Sequence, residues 1–258
     1  MTTWVLLRGL TRERGHWGEF VALLRQRLAG ATVVALDLPG NGTLNHLASP
    51  TRIGAMADWC RAEVRRLGLA PPYRLLAVSM GAMVAIDWAF SAPDEVAGCV
   101  LINTSLRPFD PFHRRLRPAN YGALLRLAWP GASPLQRERT ILRLTSRNKA
   151  AADAALDAWV RLRASRPVST RNALRQLIAA ARFRAPEAAP AVPLLILASA
   201  HDALVDVRCS LHLAERWHAD LAVHESAGHD LPLDDAPWVV AQVARWLAPW
   251  DAERQEPT

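Results

Sequence analysis

Ser79 stands where one apolar run, Leu75-Leu76-Ala77-Val78, stops and a helical one, Met80-Gly81-Ala82-Met83-Val84-Ala85, begins. A serine held at a sharp strand-to-helix turn has its hydroxyl exposed, which suits nucleophilic attack on a carbonyl carbon. Such a turn demands small neighbours, and Ala77 and Gly81 supply them. The pattern reads A-x-S-x-G, one methyl heavier on the strand side than G-x-S-x-G. A serine nucleophile also needs a base, an acid that orients the base, and amide donors for the oxyanion. His229, in Ser226-Ala227-Gly228-His229-Asp230-Leu231-Pro232, is the candidate base. Asp202, in Ser199-Ala200-His201-Asp202-Ala203, is the preferred acid; its rival Asp206 fits an ordinary helix N-terminus equally well. Candidate oxyanion donors are the backbone amides of Met80 and of Leu10, the latter on the loop from Arg8 to Trp17.

Elements that would bring these residues together are legible as alternating strands and helices, the pattern of a parallel sheet covered on both faces. Buried strands are predicted at Trp4–Leu7, Thr32–Asp37, Tyr73–Val78, Gly98–Asn103, Pro193–Ser199 and Leu221–Glu225. Helical patterns lie at Trp17–Leu28, Ile53–Leu67, Met80–Phe90, Val207–His218 and Pro237–Trp246. Each candidate then falls just beyond a strand's C-terminal end, where open α/β sheets place their chemistry. Residues 106–186 carry no strand-like run and read as amphipathic helices broken at Pro118, Pro130, Pro134 and Pro167. The expected organisation is an α/β core, 1–105 and 187–258, with a helical lid inserted at 106–186. An Ala- and Pro-rich stretch from Arg182 to Pro193 returns the chain to the core.

Of 258 residues, 51% are hydrophobic and 21% charged, enough to bury a large core. No stretch approaches the roughly 20 apolar residues of a membrane span, and no signal peptide is evident. Cys60, Cys99 and Cys209 are widely spaced, which fits reduced thiols and a cytoplasmic location. The net charge of +7 is unevenly distributed. Between Ser105 and Ala185, 17 basic and four acidic residues give +13, while the remainder, with 14 basic and 20 acidic residues, carries −6. Only Lys149 is a lysine, so part of the arginine content reflects a coding bias.

The order Ser79…Asp202…His229 and the elbow resemble the α/β-hydrolase superfamily over nearly all the chain outside the insertion. Asp37-Leu38-Pro39-Gly40-Asn41-Gly42 is similar to that family's D-x-P-G-x-G loop, and Gly228-His229-Asp230 to its histidine loop. Two departures stand out: the common H-G pair is Arg8-Gly9 here, and the D-x-P-G-x-G loop continues with Thr43 instead of serine. Serine at the elbow argues against the dehalogenase and epoxide-hydrolase branches, which use aspartate there. Neither a phosphate loop nor a metal-ligand spacing is present in the sequence, so no cofactor and no metal are expected.

The basic segment has two readings. One is a solvated arginine face; the other is capture of an anionic substrate or carrier by Arg137, Arg139, Arg143 and Arg147. Arg161, Arg163, Arg166, Arg171 and Arg175 form a second cluster. The plan resembles that of esterases that demethylate pimeloyl-acyl carrier protein, and the resemblance implies an acidic acyl carrier as a partner. Nucleic acid is not expected, since no reading motif accompanies the charge. Leu124, Leu125, Leu127, Trp129, Trp159 and Leu162 are candidate linings of an acyl pocket, while His113 and Tyr121 have no motif behind them. The chain is thus expected to cleave a carboxylic ester or thioester through an acyl-enzyme. The alternative is a lyase or C–C hydrolase that uses the same triad on an anionic substrate.

Overall fold

A computed structural model describes residues 2–128 and 131–253. Six strands, β1 (Thr3–Leu7), β2 (Thr32–Leu36), β3 (Tyr73–Val78), β4 (Val96–Ile102), β5 (Leu194–Ser199) and β6 (Asp220–His224), form one sheet in the order β2-β1-β3-β4-β5-β6. Every pairing is parallel. All six predicted strands are present, with ends displaced by at most two residues: β4 starts at Val96, ahead of the predicted Gly98.

Period-two alternation sorts the strand side chains between two apolar layers. Val5, Leu7, Leu75, Ala77, Cys99, Leu101, Leu194 and Ile196 face one layer. Trp4, Leu6, Leu76, Val78, Val100, Ile102, Leu195 and Leu197 face the other. Both faces of β1, β3 and β5 are buried, as a sheet sandwiched by helices requires. Helix α1 (Phe20–Arg27) covers the second layer, and α2 (Ile53–Arg66) and α3 (Met80–Ser91) cover the first.

Between β4 and β5 the chain is helical: α4 (Phe112–Arg115), α5 (Tyr121–Ala128), α6 (Pro134–Thr145), α7 (Lys149–Ser165) and α8 (Thr170–Arg182). Helix starts carry their own signals. Ser133 caps α6 in a reciprocal capping box with Gln136, and Asn148 and Ser169 cap α7 and α8 through their side chains. Three helices complete the core: α9 (Val207–Trp217), the short α10 (Leu231–Asp234) and α11 (Ala236–Glu253). Helix α11 runs past the predicted end at Trp246 and through Pro249, which removes one backbone donor without ending the helix. Among the described residues no helix is long and apolar enough to cross a membrane.

Candidate active site

β3 lies between β1 and β4 near the middle of the sheet, and its C-terminal end delivers Ser79. That residue has φ 55° and ψ −118°, in the positive-φ region that side chains other than glycine rarely occupy. The turn is pinned from behind: the Ser79 amide donates to the Ile102 carbonyl at 2.8 Å, and the Thr104 hydroxyl donates to the Ser79 carbonyl at 3.1 Å. Serine at a helix N-cap ordinarily accepts from the first turn, but the Ser79 side chain makes no such bond. Its hydroxyl is therefore not engaged by the helix it begins.

Gly81 shows why the elbow needs a residue without a side chain. A Cβ there would stand 2.6 Å from the Leu7 carbonyl oxygen and 2.7 Å from that of Arg8. Gly9 also lies close on the opposite side: a Cβ would come within 3.2 Å of the Ser79 Cβ and 3.8 Å of its Oγ. The loop after β1, carrying Leu10, thus runs directly against the serine. The Met80 amide is the first of helix α3, where unpaired donors and the helix dipole favour a developing negative charge.

Across the site, His229 Nδ1 and Asp202 Oδ2 are 2.6 Å apart, both side chains almost wholly buried. The other Asp202 oxygen accepts from the amides of Leu204 at 2.8 Å and Val205 at 2.9 Å, which fixes the carboxylate. Donation from Nδ1 leaves Nε2 as the acceptor that a general base needs. Burial lowers the proton affinity of His229, but the charge and hydrogen bond of Asp202, with Asp230, outweigh it and hold the imidazole above its ordinary pKa. The rival Asp206 is occupied elsewhere. It caps α9 and pairs with Arg208, which together with Arg117 holds its carboxyl down at about 2.

Asn103 was not singled out by its sequence, yet it joins three strand ends. Its Oδ1 accepts from the Ser199 amide at 2.8 Å, and its Nδ2 donates to the Ser199 hydroxyl and the His229 carbonyl, each at 2.9 Å. It does so with φ 47°, a backbone region that asparagine tolerates better than most residues. Asp234 clamps the histidine loop as well, accepting from the Gly228 amide at 2.6 Å and the Arg147 amide at 2.9 Å.

The D-x-P-G-x-G segment holds the loop after β1, which carries the candidate oxyanion donor Leu10. Asp37 accepts from the Arg14 amide at 2.7 Å and from the Thr43 hydroxyl at 2.9 Å, and Asn41 donates to the Arg12 carbonyl at 2.9 Å. Thr43 therefore presents a hydroxyl where the family more commonly has serine.

The insertion contacts the same loop. Arg12 pairs with Glu138 of α6 at 2.8 Å, lies 4.5 Å over the Trp159 ring, and contacts His16 at 2.9 Å. Glu138, fully buried, also pairs with Arg163 of α7, and Arg166 pairs with Glu13 at 2.8 Å. Burial, then Arg12 and Arg8, push His16 well below its ordinary pKa, so it is a neutral acceptor. Thr11, Glu13, His16, Glu138, Arg163, Arg166 and Val168 line a cleft there whose acidic groups are all ion-paired.

The four candidate anion-binding arginines sit in different surroundings. Arg137 donates to the carbonyls of Ala132 and Leu127, Arg139 and Arg143 are exposed on α6, and Arg147 lies beyond the helix end, against Gly228. Of the candidate pocket linings, Trp159 and Leu162 pack on the loop after β1, Leu125 faces solvent, and Trp129 lies outside the described residues. Among the described residues no three His, Cys, Asp or Glu side chains gather as a metal site would require.

With this geometry in place, comparison with known proteins decides the family. The profile of the alpha/beta hydrolase family matches residues 4–242. The chain belongs to that family. It is similar in structure to a thermophilic esterase from Thermogutta terrifontis, determined with malate bound (TM-score 0.73, 20% identity, 96% of this chain and 90% of that one). An esterase from a Rhodococcus species (TM-score 0.72, 22% identity, 96% and 90% covered) is another neighbour. So is an alpha/beta hydrolase fold protein from Chitinophaga pinensis (TM-score 0.73, 15% identity, 95% and 89% covered). At these identities the likeness is one of fold. No curated protein sequence matches the chain significantly. Membership of the family supports hydrolase activity.

Proposed function

We propose that this hydrolase cleaves a carboxylic ester or thioester through an acyl-enzyme on Ser79. The observation that carries the reading is the buried 2.6 Å His229–Asp202 pair, at the same C-terminal edge of the sheet as a serine whose hydroxyl its own helix leaves unengaged. His229 Nε2 takes the Ser79 proton as Oγ attacks the carbonyl carbon, and the amides of Leu10 and Met80 receive the oxyanion. The imidazolium, stabilised by Asp202, then protonates the leaving alcohol or thiol. In the second half-reaction His229 deprotonates water, which attacks the acyl-enzyme and releases the acid. Residues 106–186 act as the lid of this site, with the core formed by 1–105 and 187–258. Three buried, unpaired cysteines favour a reducing compartment, and we place the protein in the cytoplasm.

Hydrolysis of p-nitrophenyl esters from acetate to decanoate, by wild type and Ser79→Ala in parallel, tests the reading. Wild-type turnover should fall by roughly 10⁴- to 10⁶-fold in the variant, with folding intact. Equal activity in both proteins would exclude Ser79 as nucleophile. No activity in either, together with turnover of an anionic carbon acid, would favour the lyase or C–C hydrolase reading.

A further inference from the structure

Arg8 occupies the position where the family commonly carries histidine, and its side chain is 3% exposed. It grips Asp230 with both terminal nitrogens, Nη1 to Oδ1 at 3.0 Å and Nη2 to Oδ2 at 2.5 Å. Its guanidinium lies 4.9 Å from the Trp17 ring, and its Nε has no partner. Arg8 is two residues from Leu10, and Asp230 directly follows His229. A single buried ion pair thus bridges the loop of the proposed oxyanion donor and the loop of the proposed base.

Stability alone does not account for such a pair, since apolar residues of similar volume are commonly as stabilising as a buried ion pair. What a bidentate guanidinium–carboxylate contact adds is fixed distance and orientation. We infer that Arg8 and Asp230 are positioning residues, holding the Leu10 loop and the His229 loop in register so that the oxyanion donors and the base address one carbonyl. The inference rests on the serine-hydrolase reading above. The pair also keeps the surroundings of the imidazole electrically balanced. The charged groups acting on His229 are Asp202 from the β5 loop, Asp230 from its own loop and Arg8 from the β1 loop. Asp230 favours the imidazolium and Arg8 opposes it, so each offsets the other.

The test compares wild type, Arg8→Met, Asp230→Asn and the double variant. Readouts are kcat and KM on p-nitrophenyl butyrate against pH, Ser79 labelling by a fluorophosphonate, thermal melts, and titration of the His229 ring by NMR. Each single variant strands a buried group and should melt lower, whereas the double variant should recover most of that loss. Its kcat should nevertheless stay about 10- to 100-fold below wild type with KM little changed, because misplacement persists after the charge imbalance is gone. The His229 midpoint should rise in Arg8→Met, fall in Asp230→Asn and return near the wild-type value in the double variant. A double variant with wild-type kcat and labelling would overturn the inference, as would His229 midpoints unmoved in both single variants. A wild type that neither turns over esters nor labels at Ser79 would instead overturn the hydrolase reading, and the positioning role with it.

Discussion

The sheet and the insertion are held together by different physics. Around β3 the packing is mainly apolar and close: Leu75, Leu76 and Ala77 are completely buried, and the elbow is so tight that Gly81 tolerates no added carbon. The insertion buries Leu142, Trp159 and Ala179, but alongside them Glu138, Thr145, Asn172 and Gln176. Gln176 shows how complete the polar fit is. It accepts from the Thr11 amide at 2.8 Å and donates to Asn41 at 2.7 Å and Ser49 at 2.9 Å. Asn172 accepts from the Ser49 amide at 2.9 Å and donates to the Leu47 carbonyl at 2.8 Å. Apolar packing is indifferent to direction, whereas these bonds fix the insertion's orientation over the loop after β1.

The most damaging substitution should fall at the apolar elbow. Gly81→Val would push a side chain into the carbonyls of Leu7 and Arg8, and Leu7, paired in β1 with Leu36 and Ala77, has no room to retreat without disturbing the sheet. A cost above about 4 kcal/mol is expected for overpacking against backbone at such a site. Thermal melts would show it as a drop of roughly 10 °C or more. A variant that melts like wild type would mean the elbow is looser than its geometry.

Next comes the polar anchor. Glu138→Gln leaves Arg12 and Arg163 buried without their carboxylate, which should cost about 3–5 kcal/mol. Leu76→Ala in the core should cost about 2–5 kcal/mol, so magnitude alone does not separate the two regions. Acid does. Burial pushes the Glu138 carboxyl up, but Arg12 and Arg163 more than reverse this and hold it below its ordinary value. Its stabilisation is therefore complete above the usual carboxylate range near 4.3 and is lost as pH falls through the lowered folded value. Hydrogen exchange in α6 and α7 should rise in acid before exchange in β1 and β3 does. Simultaneous opening of both regions would remove the distinction.

This division also decided what could be read from the sequence. The six strands and the helices that cover them follow from alternating apolar runs, and the residues of the elbow and histidine loop follow from spacing. Asn103 and Gln176 were illegible because amide side chains acquire meaning only from partners 96 to 165 residues away. The candidate set Arg137, Arg139, Arg143 and Arg147 does not share one helix, for a related reason. Helical spacing groups Arg139 with Arg143, but α6 ends at Thr145 and leaves Arg147 off the helix. The charge asymmetry was legible, yet its use was not: Arg163 and Arg166 are consumed by Glu138 and Glu13.

A pH–rate profile probes the seam between the two regions. Because His229 is held above its ordinary value, the acid limb of kcat/KM should have its midpoint above about 6.5. With His229 as the proposed base, activity would require the neutral imidazole, so turnover should fall as pH drops through that midpoint. Asp202→Asn removes the main charge favouring the imidazolium and should move the limb to lower pH while reducing kcat. A limb that does not move would indicate that a different group limits the rate.

The mildest expected effect concerns the exposed arginines of α6. Arg139 and Arg143 face solvent, so changing both to Gln should alter stability by no more than about 0.5 kcal/mol each. Turnover of a neutral p-nitrophenyl ester should be unchanged, since neither residue approaches Ser79 through any contact seen here. An ester presented on an acidic carrier protein would respond differently if this face docks it. Long-range attraction raises association rates and is screened over about 8–10 Å at moderate salt. The double variant would then show a higher KM for the carrier-bound ester, and added salt would erase the difference from wild type. Equal KM values for both proteins at low salt would reduce these two arginines to a solvated face, unlike Arg163 and Arg166, which the fold uses to pair with Glu138 and Glu13.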